Sequence, residues 1–439
     1  HYPLRRQRQM CIRDRPAWSR ARVVAVAAGE MHSLFVCADG AVLSCGNGEY
    51  GRLGHGDERD QLVPRAVGGA LHGERVCSAA AGSAHSVAVL ADGRLFAWGA
   101  RSGGRLGLGE PSATDQLGEL ATGVQLTPAL VRALADARER IVAASAGEFH
   151  QLALTARGEV YAWGVGLCGR LGHGEHASVW APRRVDALAH ARVVARAVSA
   201  GGSHSLVVAA DGRLYAFGDG RCGQLGSGRE DDEALPIEVL PALPHAIEPR
   251  APARWPSAVL RASAGRYHSL ALTADGRAWA WGLGAHGQLG LGDEESRLAP
   301  CPLDALAARG VRVRGVSAGA RRSFLWAAHS HAVYQAGFVR GGRAVADLQG
   351  HDGELWDSLR VPTLVAGLHL ARPGDDDDDD HHPADDSLSA CVPPAARARD
   401  ASRGSRASTV ARAGQAALGA SAREREHSGH MRVPGLVGF

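Results

Sequence analysis

Short apolar runs alternate with glycine-containing turns along most of the chain. The runs Ser33–Cys37 and Ala41–Cys45 flank Asp39-Gly40, and an Asp-Gly pair between two such runs predicts a β-hairpin, because the tight turn needs positive φ. An apolar run, Arg22–Val26, precedes this hairpin, and a Pro-x-x-Val segment follows it. The pattern therefore predicts units of four short antiparallel strands. Corresponding turn pairs are Asp92-Gly93, Arg157-Gly158, Asp211-Gly212 and Asp275-Gly276.

The units align on the motif Ala-Gly-x-x-His. The histidines are separated by 53, 65, 54 and 64 residues, and a sixth copy carries Arg322 in place of histidine. Because the motif repeats at a fixed position of each unit, its glycine and histidine are interpreted as structural. These residues are Gly29 and His32, Gly82 and His85, Gly147 and His150, Gly201 and His204, and Gly265 and His268.

Glycine-rich loops and a closing proline complete each unit. The chain has 57 glycines, whereas a typical composition of roughly 7% would give about 31. Five loops such as CGNGEYGRLGHG account for nearly all of the excess. A phosphate-binding loop should follow one strand and open a helix, whereas these loops lead to Pro-x-x-Val. We therefore interpret them as tightly turned connections.

Four-stranded units repeated around an axis predict an all-β fold, a β-propeller. The repeat A-G-x-x-H-S-L…D-G…W-G-x-G-x-x-G-Q-L-G-x-G resembles that of the regulator of chromosome condensation family and covers residues 21–370. The resemblance implies a seven-bladed propeller. About six blades are recognisable, and the sixth is degenerate, with Ser330-His331 where Asp-Gly is expected. The seventh is incomplete or missing.

The two ends of the chain do not follow the repeat. Residues 1–20 are interpreted as a non-native or disordered segment. Residues 371–439 contain the acidic run Asp375–Asp380 and an Ala/Arg/Ser-rich stretch, which predict a low-complexity, largely disordered tail. Arg432–Val437 resembles a closing strand, so a decayed seventh blade near 410–439 stays an alternative.

Composition limits the classes of partner. The net charge is only +3 and all basic residues are arginine, which argues against direct nucleic-acid binding as the function. No run of 18 apolar residues predicts a membrane helix. Eight scattered cysteines without a CxxC pair indicate free thiols in a reducing compartment. We expect a cytoplasmic or nuclear protein.

No constellation of residues predicts catalysis. One histidine per blade places these side chains around a ring, too far apart to hold one metal ion, and a hydrogen-bonded structural histidine explains the repetition better. The adjacent His-Ser pairs are not nucleophile pairs, because successive strand residues face opposite ways. We expect no enzyme activity, no cofactor, no metal and no small-molecule substrate.

Variation between fixed anchors marks candidate partner-binding residues. The two residues between the repeat glycine and histidine differ in every unit, and Arg and Tyr are favoured at interfaces. We hypothesise a face that is acidic and apolar on units one and three and basic and aromatic on units five and six. The insertion in unit four adds two more candidates. The candidates are Glu30, Met31, Glu148, Phe149, Arg266, Tyr267, Arg321, Arg254 and Trp255.

The family resemblance implies three kinds of function. The first, favoured here, is a protein-interaction scaffold, alone or within a larger regulatory or ubiquitin-ligase protein, whose partner is unidentified. The alternative is guanine-nucleotide exchange on a Ran-type small GTPase with chromatin association. The third, ultraviolet-B perception, would need Gly-Trp-Arg-His-Thr in several units. None of the variable pairs contains tryptophan, so this third function is rejected.

Overall fold

A computed structural model describes residues 21–110, 123–241, 254–330, 332–340 and 356–369. The chain divides into a unit from His1 to Pro393 and a second from Pro394 to Phe439, and all described residues belong to the first. The predicted terminal segments, 1–20 and 371–439, and most of both insertions therefore lie outside the described residues.

The described residues form six four-stranded sheets, the blades of a propeller, so the predicted fold is confirmed. The strands of blades 1 to 3 are β1 Val23–Ala28, β2 His32–Cys37, β3 Val42–Gly46, β4 Gln61–Ala66; β5 Val76–Ala81, β6 His85–Leu90, β7 Leu95–Ala100, β8 Val124–Leu130; and β9 Ile141–Ala146, β10 His150–Thr155, β11 Val160–Gly164, β12 Val179–Arg184. Those of blades 4 to 6 are β13 Ala195–Ala200, β14 His204–Ala209, β15 Leu214–Gly218, β16 Glu233–Glu238; β17 Val259–Ala264, β18 His268–Thr273, β19 Ala278–Gly282, β20 Arg297–Pro302; and β21 Val313–Ala318, β22 Arg322–Ala327, β23 Ala332–Arg340, β24 Trp356–His369.

Neighbouring strands within each blade are antiparallel, and the register repeats from blade to blade. The repeat histidine lies opposite the second repeat glycine, as in His32 with Gly46 and His204 with Gly218. Short helices occupy three of the connections between blades: α1 Arg132–Asp136, α2 Asp186–His190 and α3 Asp304–Ala308.

Antiparallel order sends alternate connections to opposite ends of every blade. The Gly-x-x-His turns and the glycine-rich loops lie at one end, which we call the loop face. The Asp-Gly turns and the connections to the next blade lie at the other end, the hairpin face. Backbone hydrogen bonds join elements within each face, for example Asn47 N–H to Met31 O (2.8 Å) and Val76 N–H to Gly40 O (3.0 Å).

The core lies between successive blades. Trp98, Trp163 and Trp281, from the third strands of blades 2, 3 and 5, are fully buried, and Phe217 takes this position in blade 4. Each ring packs against a loop glycine of the preceding blade, as Trp98 does against Gly54. The repeated aromatic residue therefore joins one blade to the next.

The repeat glycines allow neighbouring backbones to approach closely at the channel. A Cβ atom on Gly201 would lie 2.4 Å from the carbonyl oxygen of Gly265, and one on Gly265 would lie 2.6 Å from that of Gly319. These distances are well below van der Waals contact, so only glycine fits. The close approach explains why Ala-Gly recurs at the end of each inner strand.

Blade 1 has no preceding blade within the described residues. Val26 on its inner strand is 70% exposed, whereas Val316 at the corresponding position of blade 6 is 8% exposed. The sixth blade is present as predicted, with β22 beginning at Arg322. The suggested remnant of a seventh near 410–439 lies outside the part of the chain that the structure describes.

Candidate functional site

The inner strands surround a channel that opens on the loop face. Each inner strand ends in alanine followed by the repeat glycine, and these small residues line a cavity of about 440 Å³. The variable pairs follow directly after the glycines, so the fold brings them together around the channel mouth. The lining alanines are Ala28, Ala81, Ala146, Ala200, Ala264 and Ala318.

Three of the predicted partner-binding residues form an ion cluster across this mouth. Arg266 Nε lies 2.8 Å from Glu148 Oε1, and Arg266 Nη1 lies 3.9 Å from Glu30 Oε1. Burial raises the pKa of Glu148, and Arg266 opposes that shift. The acidic pairs of blades 1 and 3 are thus partly neutralised by blade 5, rather than forming a separate acidic pole.

Phe149 is positioned between two arginines from different blades. The Cζ atoms of Arg105 and Arg170 lie 5.1 and 5.8 Å from its ring centroid, within the range of cation–π attraction. The ring is 38% exposed, and Met31 on blade 1 is 59% exposed. Tyr50 and Leu167 also present exposed side chains from the glycine-rich loops. The loop face over blades 1 to 3 therefore presents apolar and aromatic side chains beside the carboxylates of Glu30 and Glu148.

Buried arginines support this surface from below. Arg52, Arg105 and Arg170 hold equivalent positions in the loops of blades 1 to 3, and each Nη1 donates to a backbone carbonyl of the following blade. Burial lowers the pKa of Arg105 and Arg170, yet an arginine stays protonated. Blades 4 and 5 have Gln224 and Gln288 at this position.

A repeated hydrogen-bond relay joins the blades beneath the loop face. His204 Nε2 lies 2.8 Å from Ser269 Oγ, and that hydroxyl donates to Gln224 O (2.8 Å). Because the hydroxyl proton is used for the carbonyl, histidine Nε2–H is the donor to serine, which defines the neutral tautomer. The same arrangement joins His32 to Ser86, His150 to Ser205 and His268 to Ser323.

The junction of blades 2 and 3 lacks this relay because Gln151 replaces the serine. Gln151 is fully buried, and among the described residues neither its amide nitrogen nor its amide oxygen has a hydrogen-bond partner. In the same part of the chain, His85 Nε2 and Trp163 Nε1 also lack hydrogen-bond partners. In the corresponding places, Trp98 and Trp281 donate to Arg52 O and Gln224 O. Gln151 lies two residues after Phe149, on the strand that begins at His150.

The remaining predicted residues are divided between the two faces. On the loop face, Arg266 lies over the Tyr267 ring (5.6 Å), and Arg321 lies over the Phe338 ring of blade 6 (5.9 Å). Trp255 is on the hairpin face, where its indole donates to Val239 O (2.8 Å) and its ring meets Trp279 edge-on. Arg254 is exposed beside it. The structure thus does not bring Arg254 and Trp255 together with the variable pairs.

Arg105 and Arg170 were not predicted from the sequence, because they lie in the glycine-rich loops and outside the variable Gly-x-x-His pairs. The signal was present: the second residue of the loop core reads Arg in GRLG of units one to three and Gln in GQLG of units four and five. That the side chains converge on Phe149 depends on the packing of neighbouring blades.

The described residues contain no group of three metal-ligating side chains that could hold an ion. None of the helices in the described part of the chain has the length and apolar character needed to cross a membrane.

Comparison with known families gives one domain match. The model described as "RCC1-like domain" matches residues 5–372. The ultraviolet-B receptor UVR8 of Arabidopsis thaliana is 33% identical over 291 residues, covering 66% of this chain and 59% of the receptor. The mouse E3 ubiquitin-protein ligase HERC2 is 31% identical over 350 residues, covering 76% of this chain and 7% of the ligase. This chain spans less than two thirds of either relative.

Solved structures show the same fold. Human WBSCR16 matches with a TM-score of 0.63 and 22% identity, covering 79% of this chain and 82% of that protein. Yeast RCC1 (Prp20), solved bound to Kap60, matches with a TM-score of 0.61 and 23% identity, covering 79% of this chain and 76% of that protein. At these identities, the likeness concerns the fold alone.

Proposed function

The chain belongs to the RCC1-like domain family, and from this premise we propose that it is a protein-interaction scaffold whose loop face binds a protein partner. The observation that carries this proposal is Phe149 between Arg105 and Arg170, with Met31 exposed on the same face. Binding energy at protein interfaces concentrates in aromatic and arginine residues at the centre of a contact. A ring already held by two guanidiniums loses little conformational freedom on binding.

The curated relatives support a binding module. A ligase such as HERC2, of which this chain covers only 7%, contains a similar segment within a much longer protein. A segment used in that way is suited to recruiting a partner for chemistry that occurs elsewhere. We propose the same role here, either alone or within a larger regulatory protein.

Capture of binding partners with a matched pair of variants tests the proposal. Phe149→Glu places a charge on the loop face, and Val361→Glu places the same charge on an equally accessible aliphatic position (39% exposed) of the outer strand of blade 6. Full-length wild-type and variant chains are immobilised, captured proteins are identified by mass spectrometry, and each is re-tested as a purified protein. We expect F149E to weaken partner binding at least tenfold and V361E to leave it within twofold.

Equal binding by F149E and wild type would contradict the proposed loop-face site. The same immobilised chains, incubated with purified Ran carrying a fluorescent nucleotide, test the alternative of exchange activity. Selective capture of Ran together with accelerated nucleotide release would replace the scaffold proposal with the exchange-factor function.

A further inference from the structure

The hairpin face carries a set of exposed arginines without ion pairs. They lie in the connections between blades and within the first residues of the inner strands, and every blade contributes at least one. None forms an ion pair with a described carboxylate. These residues are Arg22, Arg75, Arg132, Arg138, Arg140, Arg192, Arg196, Arg254, Arg261, Arg309, Arg312 and Arg314.

Most acidic residues of this face are already neutralised. The turn and strand carboxylates pair with arginines of the hairpins themselves, for example Asp92 with Arg94 (2.6 Å) and Asp211 with Arg213 (2.7 Å). Among the described acidic residues of the hairpin face, those left without an ion pair are Asp39, Asp136 and Asp304. The unpaired arginines therefore give this face a strong positive excess.

The loop face has the opposite balance. Its glycine-rich loops end in acidic stretches, 57–60, 230–233 and 293–295, where the chain turns toward the outer strand. The described residues of the two faces thus differ in the sign of their charge, which the net charge of +3 for the whole chain does not reveal. Net charge alone conceals a surface that attracts an anionic partner.

Four of the arginines occupy one structural position. Arg22, Arg75, Arg140 and Arg312 each precede an inner strand. The carbonyl oxygen of each accepts a hydrogen bond from the residue that follows the second strand of the same blade, as in Ala91 N–H to Arg75 O (2.9 Å) and Ala328 N–H to Arg312 O (2.8 Å). The backbone anchors are therefore fixed, and the side chains project at corresponding points around the ring.

We propose that the hairpin face is a second interaction surface, and that it binds a glutamate- and aspartate-rich segment of a partner protein. Arginine forms bidentate hydrogen bonds with carboxylates and is enriched at protein interfaces. The turn carboxylates Asp39, Asp92, Asp211 and Asp275 stand between the arginines. A continuous phosphate backbone, with a charge about every 1.7 Å of duplex, would lie against these carboxylates, whereas spaced side-chain carboxylates can pass between them.

The residues of blades 4 and 5 show which substitutions at this position the fold accepts. They carry Val194 and Ala258 where other blades have arginine, so the triple variant R75A/R140A/R312A puts small neutral residues where the fold already tolerates them. The matched control R59A/R101A/R229A removes the same charge from loop-face arginines that also lack a described ion pair. Circular dichroism and thermal unfolding verify that both variants fold.

Fluorescence anisotropy measures binding of a fluorescein-labelled hexadecaglutamate peptide to the full chain at low salt. We expect the wild type and the control variant to bind within twofold of each other and R75A/R140A/R312A to bind at least tenfold more weakly. Affinity should fall as ionic strength rises, because exposed charges are screened.

Three results would overturn the proposal. They are no binding of the peptide by the wild type, an equal loss in both triple variants, and binding of a hexadecameric oligothymidylate in preference to the peptide. Sedimentation velocity tests whether the acidic loop face of a second copy occupies the surface instead. A fourth result would also overturn the proposal: if the wild type self-associates in a salt-sensitive way and R75A/R140A/R312A does not, the hairpin face binds a second copy of this chain instead of an acidic segment of another protein.

Discussion

The loop face and the hairpin face are built by the same repeat, yet their polar and charged side chains find different kinds of hydrogen-bond and ion-pair partners. On the loop face, arginines and histidines are buried and bond across blades, as Arg105 does to Glu148 O and His204 to Ser269. On the hairpin face, charged residues are exposed and pair within one hairpin, as Arg213 does with Asp211, or remain unpaired. Buried side-chain hydrogen bonds between blades are therefore concentrated beneath the loop face, whereas the hairpin face joins blades by backbone hydrogen bonds, as in Val76 N–H to Gly40 O, and carries exposed charges.

The largest difference between the two faces should be their contribution to the loss of stability at low pH. The buried histidines lie beneath the loop face, and burial lowers the pKa of His32 and His268 to about 4 and of His204 to about 3. An unfolded histidine titrates near 6.5, so below that pH the unfolded state binds more protons and stability falls. As the pH falls from 6.5 to 5, each such histidine should lower the free energy of unfolding by about 2 kcal/mol.

Urea unfolding at pH 7, 6 and 5 measures this loss, and His204→Gln should reduce its slope. An unfolding free energy that stays constant down to pH 5 would contradict a neutral, buried histidine at each junction.

The second largest difference between the faces should appear when a glycine of blade 5 is replaced by alanine on each face. Gly265→Ala places a Cβ 2.6 Å from the carbonyl oxygen of Gly319, and overpacking of this kind against backbone should cost about 3 kcal/mol or more. Gly276→Ala, in the hairpin turn at φ +81°, meets only the Arg312 side chain at 3.2 Å and should cost about 1–2 kcal/mol. Chemical denaturation of both variants gives the two values, and equal losses would show that the channel approach is not tight.

A smaller effect should separate two junctions of the loop face. Ser205→Gln removes the hydroxyl between His150 and Arg170 O, and should cost about 2 kcal/mol because buried groups lose their partners. Gln151→Ser supplies that hydroxyl to His85. The new hydrogen bonds should outweigh the cost of the cavity left by the smaller side chain, so the free energy of unfolding should rise by about 1 kcal/mol. If Q151S destabilises the protein, the unpaired atoms at this junction have partners that the structure does not describe.

The smallest effect belongs to the paired arginines of the hairpin face. Arg213 and Asp211 are both substantially exposed, and exposed ion pairs contribute at most about 1 kcal/mol. Arg213→Ala should change the free energy of unfolding by less than about 0.5 kcal/mol. A larger loss in thermal or urea unfolding would mean that the hairpin charges stabilise the blades.

The blades were predictable from sequence because one pattern recurs at fixed anchors. Asp-Gly turns, the repeat histidine and Pro-x-x-Val place three strands of each unit, and the predicted run 22–26 matches β1 with a shift of one or two residues. The charge separation was also within reach, since it follows from which turns share an end. It was not predicted, because the net charge of the whole chain averages over both faces.

Contacts between blades could not be predicted. The histidine donates to a serine 54 to 65 positions away, and only the packing of successive sheets identifies that partner. For the same reason, the consequence of Gln151 and the placement of Trp255 against Trp279 were invisible in the sequence. Local signals specify strands and turns, whereas these bonds depend on the angle between sheets.

Hydrogen–deuterium exchange tests most directly whether the two faces bind separately. Exchange is measured for the full chain alone, with a partner captured through the loop face, and with hexadecaglutamate. We expect the captured partner to protect segments 29–32 and 147–150, and the peptide to protect 75–77 and 312–314. Protection of the same segments by both ligands, or protection by the partner confined to the hairpin turns, would contradict two independent surfaces.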